Sequence, residues 1–165
     1  GNSKDVEDII NENINVKHPK YIRLSETENN LNLIKNNYED LEILNLNKNG
    51  ICIIVGNAIK DFNKLSNLNC TILYTTNISE FDIDKLNNII YNNNIVKNIT
   101  IVEPCYDSGI LSKIAINIKN IESINCISIP KLFIEKYGKK ENIDYYLQLD
   151  DESIIKQLEK IYEKN

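Results

Sequence analysis

Ile51-Cys52-Ile53-Ile54-Val55 is an unbroken apolar run closed by Gly50 and Gly56. It is too short for a buried helix and does not alternate, so it reads as a β-strand covered on both faces. A strand of that kind demands a layer of structure on each side. The chain that follows can supply them. Residues 57–67, with Ala58, Ile59, Phe62 and Leu65, have helical spacing, and Cys70 to Tyr74 reads as a second strand. Asp82 can cap a helix bearing Ile83, Leu86, Ile89 and Ile90. Ile99 to Val102 is a third strand and Ile124 to Ile129 a fourth, with a helix from Ile110 to Ile118 between them. Short helices are predicted at 131–137, 140–147 and 151–163. Strands alternating with helices imply a parallel sheet with right-handed crossovers. Leu41 to Leu46 alternates apolar and polar residues and arrives without a crossover helix, so it is predicted to be an antiparallel edge. The expected fold is α/β: a three-layer α/β/α sandwich on a five-stranded mixed sheet, four strands parallel and one antiparallel edge.

The first 40 residues read differently. Residues 5–13 have the pattern of a short helix, Pro19 to Leu24 reads as a strand, and 25–40 as a polar linker with one helical turn near Leu31 to Ile34. Asn and Ile together make up over a third of the chain, and Arg23 is the only arginine. AT-rich codons produce that bias, so the abundance of Asn needs no functional explanation. The chain contains no methionine, from which we expect a piece of a longer protein.

With 165 residues and a net charge of −5, the chain suits a sizeable core and gives no electrostatic reason to bind nucleic acid or anionic membrane. No apolar run approaches the roughly 20 residues that span a bilayer. Cys52, Cys70, Cys105 and Cys126 lie far apart without a CxxC pair. They read as reduced core residues of a cytoplasmic protein rather than disulfides or zinc ligands.

Glu103 ends a strand, where an open α/β sheet borders its ligand crevice. It can orient the following turn or reach a domain interface, but the simpler reading is a carboxylate accepting local N–H bonds. The turn Asp107-Ser108-Gly109 can bind an anion at a helix N-terminus or serve as an ordinary cap with a permissive glycine. His18, the only histidine, reads as an exposed turn residue. Asp150, Asp151 and Glu152 precede an apolar-periodic helix, so capping and dipole complementarity explain them better than a metal site. No phosphate-loop, dinucleotide, nucleophile-elbow or zinc-protease motif is present.

Several segments, taken in order, resemble one family. Ile99-Thr100-Ile101-Val102-Glu103, the Ser108-Gly109 turn, Ile129-Pro130-Lys131-Leu132-Phe133-Ile134-Glu135-Lys136-Tyr137-Gly138 and Leu149-Asp150-Asp151-Glu152-Ser153-Ile154 are similar to the C-terminal domain of the transketolase family. These are thiamine diphosphate-dependent enzymes. The resemblance implies that residues 41–165 form that domain and residues 1–40 the tail of a preceding pyrimidine-binding domain plus linker. It further implies that the parent, with thiamine diphosphate and magnesium held in its pyrimidine-binding and diphosphate-binding domains, transfers a two-carbon ketol unit as a homodimer in the cytoplasm, or in an organelle if the parent carries a transit peptide. This chain would then hold no cofactor and no catalytic residue. Substrate contact is implied at Arg23 and, three positions on, at Glu26, where many members carry a second basic residue against substrate phosphate. A carboxylate there repels phosphate. The Phe-Ile-Glu-x-x-Gly spelling is closest to deoxyxylulose-phosphate synthases, an alternative parent. A stand-alone α/β interaction subunit is the reading from outside the family.

Overall fold

The computed structural model describes residues 3–17, 19–25, 28–31, 41–106 and 109–163. Within them one five-stranded sheet forms, from β1 (Glu42–Asn45), β2 (Ile51–Val55), β3 (Thr71–Thr75), β4 (Asn98–Val102) and β5 (Ser123–Ile127). Their order is β1-β3-β2-β4-β5. β1 runs antiparallel to β3, and every other neighbouring pair is parallel. The antiparallel edge strand and the parallel remainder are those the sequence pattern implies.

The apolar run at 51–55 sits at the centre of the sheet, and all five of its residues are buried. Alternate residues point to opposite faces and feed two cores. Ile51, Ile53 and Val55 join Leu73, Ile99 and Ile101 beneath α2 (Ile83–Asn93) and α3 (Ile110–Asn117). Cys52 and Ile54 join Ile72, Tyr74 and Val102 beneath the last helix, α5 (Asp151–Tyr162). Helix α5 presents Ile154, Leu158 and Tyr162 to that core, four residues apart and hence on one stripe.

Local signals explain the helix limits. The Asp82 side chain accepts from the N–H of Lys85 at 2.7 Å and starts α2. Asn94, left-handed at φ 52°, ends it. Asp150 starts α5 by accepting from the N–H of Ser153 at 3.1 Å. The cap of α3 is Gly109, with no side-chain bond. Asp107 and Ser108, the residues expected to cap it, lie outside the described residues.

Three expected elements differ. Residues 57–67 hold only a 3-10 turn at Phe62–Leu65, because Asp61 caps so late that only one turn fits before Leu68 turns toward β3. Residues 131–137 form no helix. Pro130 precedes them, and Leu132, Phe133 and Tyr137 stay exposed, so no apolar face is buried to stabilise helical structure. Residues 19–25 form no strand. A strand exists only where a neighbour accepts its hydrogen bonds, and among the described residues this segment pairs with no strand; Tyr21 and Leu24 remain in solvent. Helix α1 (Ser3–Asn13) forms as expected, and α4 occupies Lys140–Tyr146. The predicted turn near Leu31 to Ile34 falls largely outside the described residues. Among the described residues no helix is long and apolar enough to cross a membrane.

The second core buries the thiols of Cys52 and Cys70 and the hydroxyl of Tyr162 away from water. Burial pushes the Cys70 thiol from 9.0 up to about 12, and burial also raises Cys52 and the Tyr162 hydroxyl. These raised values make the chain stable below the ordinary thiol value of 9.0 and progressively less so as pH climbs from 9.0 toward about 12. Unfolded thiols release their protons in that window while folded ones cannot. Urea midpoints followed by circular dichroism are expected to fall there, and to fall less steeply in Cys70→Ala; an unchanged slope contradicts the assignment. At neutral pH a thiol reagent is expected to label the partly exposed Cys105 and Cys126 and to spare Cys52 and Cys70.

Candidate functional site

Strand order creates one crevice. From β2 the chain leaves toward the α5 face, where Leu65 of the 3-10 turn is buried, and enters β3. From β4 it leaves toward the opposite face, through α3, into β5. β2 and β4 are neighbours, so their carboxyl-end loops diverge and open a gap. Ligands of open α/β sheets bind at such a switch point. Here the gap is a cleft of about 310 Å³. Asn57 and Ala58 line it from the end of β2, Glu103 and Pro104 from the end of β4, Ile129 from beyond β5, and Asp150 to Glu152 from the start of α5. Lys60, Lys64 and Lys140 bring positive charge to its walls.

Much of this wall is tied down. The Asp151 carboxylate accepts from the N–H groups of Lys60 (3.1 Å) and Asp61 (2.9 Å), joining α5 to the loop after β2 across 90 residues of sequence. The loop is held from its other side by the segment at 29–31. Asn30 accepts from the N–H of Phe62 at 2.8 Å, donates its own N–H to the Lys60 carbonyl at 2.9 Å and donates its amide to Asp61 at 2.6 Å. That amide bond holds the Asp61 carboxyl below its ordinary value. Asn29, itself buried, donates to the Gly56 carbonyl at 3.2 Å. Burial pushes the Asp150 carboxyl up, but its hydrogen bonds to Ser153 and to the backbone of Asp150 and Glu152 together outweigh this and leave it below the ordinary range. Lys140 is paired with Asp144 at 2.6 Å.

Glu103 is 2% exposed. Its backbone N–H donates to the Ile127 carbonyl at 2.9 Å, which carries the β4–β5 ladder one residue past the strand. The Cys126 and Cys105 thiols lie 3.6 and 4.0 Å from its two carboxylate oxygens. A carboxylate so enclosed, with thiols as its neighbours, is placed to accept from them.

The other candidates scatter. Arg23 is exposed on the irregular segment before the linker, and Gly109 opens α3 at φ 88°. Glu26, Asp107, Ser108 and His18 lie outside the described residues. Among the described residues no three His, Cys, Asp or Glu side chains are grouped to hold a metal. The described lining of the crevice is rich in lysines and carboxylates and contains no Ser, Thr, Cys, His or Tyr. Asn30 and Lys60 were not singled out by sequence, and no local signal marks them: both gain their place from residues 30 to 90 positions away.

The fold and crevice define an α/β protein with a mixed five-stranded sheet and a charged cleft at its switch point. No protein-family model and no curated protein sequence matches the chain.

Proposed function

We propose that this chain is the C-terminal, non-catalytic domain of a transketolase-like, thiamine diphosphate-dependent enzyme that transfers a two-carbon ketol unit. The observation that carries the reading is where the motif segments fall. Ile99 to Val102 close β4 ahead of Glu103, Gly109 opens α3, Ile129-Pro130 leaves β5, and Asp150 caps α5. They occupy successive elements around a mixed sheet with one antiparallel edge strand, in the order in which the resembling segments run along the chain.

Thiamine diphosphate supplies the reactive carbon, and protein supplies its orientation. The crevice of this chain does not suit that group. A magnesium-bound diphosphate needs convergent oxygen ligands. Here Asp151 is committed to backbone N–H groups and Asp144 to Lys140, Asp150 gives one oxygen to the Ser153 N–H and keeps Oδ2 buried without a partner, and among the described residues no three such side chains are grouped to hold a metal. In this reading the cofactor belongs to the two other domains of the parent, and this chain supports their packing.

Two measurements test the proposal. Thiamine diphosphate with magnesium is expected to leave the melting temperature of this chain unchanged; a rise like that of an intact family enzyme overturns the non-catalytic assignment. The reading frame upstream of Lys4 is expected to encode a Gly-Asp-Gly metal motif and a pyrimidine-facing glutamate. A start codon beside Lys4, with no co-purifying partner bearing those motifs, overturns the family assignment and leaves an independent interaction subunit.

A further inference from the structure

We propose that the switch-point crevice binds a small α-amino acid with an apolar side chain, its carboxylate on Lys60 and its ammonium on Asp150 and Glu152. The inference does not rest on the chemistry of the parent enzyme. It comes from which charges around the crevice the fold already uses and which it leaves over.

Several of the carboxylates are engaged. Asp151 accepts from two backbone N–H groups, and Asp144 pairs with Lys140. Glu103 is buried, with thiols beside both of its oxygens. Lys60, Asp150 and Glu152 differ. Asp150 gives one oxygen to the Ser153 N–H, and its Oδ2 is buried without a hydrogen-bond partner. A buried acceptor without a donor is costly, and a donor carried in by a ligand removes that cost. Glu152 is exposed. Among the described residues, neither its carboxylate nor the Lys60 ammonium enters an ion pair.

Lys60 is also clamped through its own backbone. Its N–H donates to Asp151 at 3.1 Å, and its carbonyl accepts from the Asn30 N–H at 2.9 Å. The side chain therefore leaves from a root fixed by two distant parts of the chain. Preorganisation of that kind lowers the ordering cost of binding.

These groups line one cleft of about 310 Å³. Small-molecule sites run from about 300 to 1,000 Å³, so this one has room for a single small metabolite and not for a dinucleotide. Ala58, Ile129 and Leu149 add an apolar wall. A plain anion drawn to Lys60 would face the carboxylates of Asp150 and Glu152, and a plain cation drawn to those would face Lys60. A zwitterion satisfies both ends at once, and an apolar body between them suits the wall. An α-amino acid combines the three.

Calorimetric titration of the full chain tests this, with L-leucine as the probe. Saturable binding is expected. L-leucinamide, which lacks the carboxylate, and isocaproate, which lacks the amine, are each expected to bind about tenfold more weakly, the effect of losing one charge-assisted hydrogen bond. Lys60→Gln keeps the backbone clamp. It is expected to weaken L-leucine by a similar factor and to leave L-leucinamide unchanged. Glu152→Gln is expected to weaken L-leucine and to leave isocaproate unchanged. Both variants alter side chains that no ion pair holds, so native circular dichroism is expected of each. If L-leucine gives neither saturable heat nor a rise in melting temperature, the proposal is overturned. Isocaproate or L-leucinamide binding as tightly as L-leucine also overturns it, as does a Lys60→Gln variant that weakens L-leucine and L-leucinamide alike.

Discussion

Gly50→Ala is expected to destabilise the chain by about 3 kcal/mol, the sum of backbone strain and overpacking. Gly50 has φ 148°, a conformation that L side chains rarely adopt. A Cβ at this position would lie 2.6 Å from Cε1 of Tyr162 and 2.9 Å from the Asn98 carbonyl oxygen. The ring cannot swing away freely: it is fully buried, and its hydroxyl donates to the Ile51 carbonyl at 2.5 Å. The last helix is thus anchored to the start of the central strand at the one place where the strand has no side chain. Against a domain stability of about 5–15 kcal/mol, a loss of this size is large. Urea unfolding of Gly50→Ala measures it. Tyr162→Leu in the same background is expected to recover part of the loss, since it removes the ring clash but leaves the backbone strain and the carbonyl contact, and the two substitutions should be clearly non-additive. A Gly50→Ala variant as stable as the parent chain would show that the approach of helix and strand is looser than described.

Asp151→Ala is expected to cost about 2–3 kcal/mol, because hydrogen bonds to a charged acceptor are stronger than neutral ones and their loss leaves two N–H groups without partners. Those donors are the N–H groups of Lys60 and Asp61, so the effect has an address. Hydrogen exchange at these two amides should accelerate more than at the centre of β2, whose ladder is untouched. Loss of a negative charge from the first turn of α5 adds a smaller, salt-sensitive part. Asp151→Asn keeps one acceptor oxygen and should fall between the two. Uniform acceleration across the sheet would instead mean that Asp151 supports global stability and not the crevice wall.

The crevice was legible in the sequence only in part. That Glu103 stands at the carboxyl end of a strand follows from the apolar run before it, and that Asp150 caps a helix follows from the periodicity after it. Neither signal says that the two line the same cleft. That depends on β4 being inserted beside β2 while β3 lies on the other side, an ordering that adjacent residues do not encode. The asparagines give the sharpest case. Codon bias accounts for their number, yet Asn29 and Asn30 hold the loop after β2 by side-chain bonds to Gly56, Asp61 and Phe62. Their role is set by the surface they land on.

The reverse holds for the segments whose expected structure did not form. Residues 19–25 and 131–137 have the residue types of a strand and a helix, but the described fold offers the first no ladder and the second no core. Propensity of that kind is worth a few tenths of a kcal/mol per residue and yields to burial wherever burial is absent.

By itself, the sequence determined the alternation of strands and helices, the burial of the strand at 51–55 on both faces, the caps at Asp82 and Asp150 and the antiparallel edge at β1. Each depends on interactions within a few residues, where periodicity and capping chemistry act directly. Only the tertiary structure decided the order of the strands, the fit of Tyr162 over Gly50 and the tether from Asp151 to the loop after β2. Those depend on contacts between residues 20 to more than 100 positions apart, and nothing in the local pattern at one end of such a contact specifies its partner at the other.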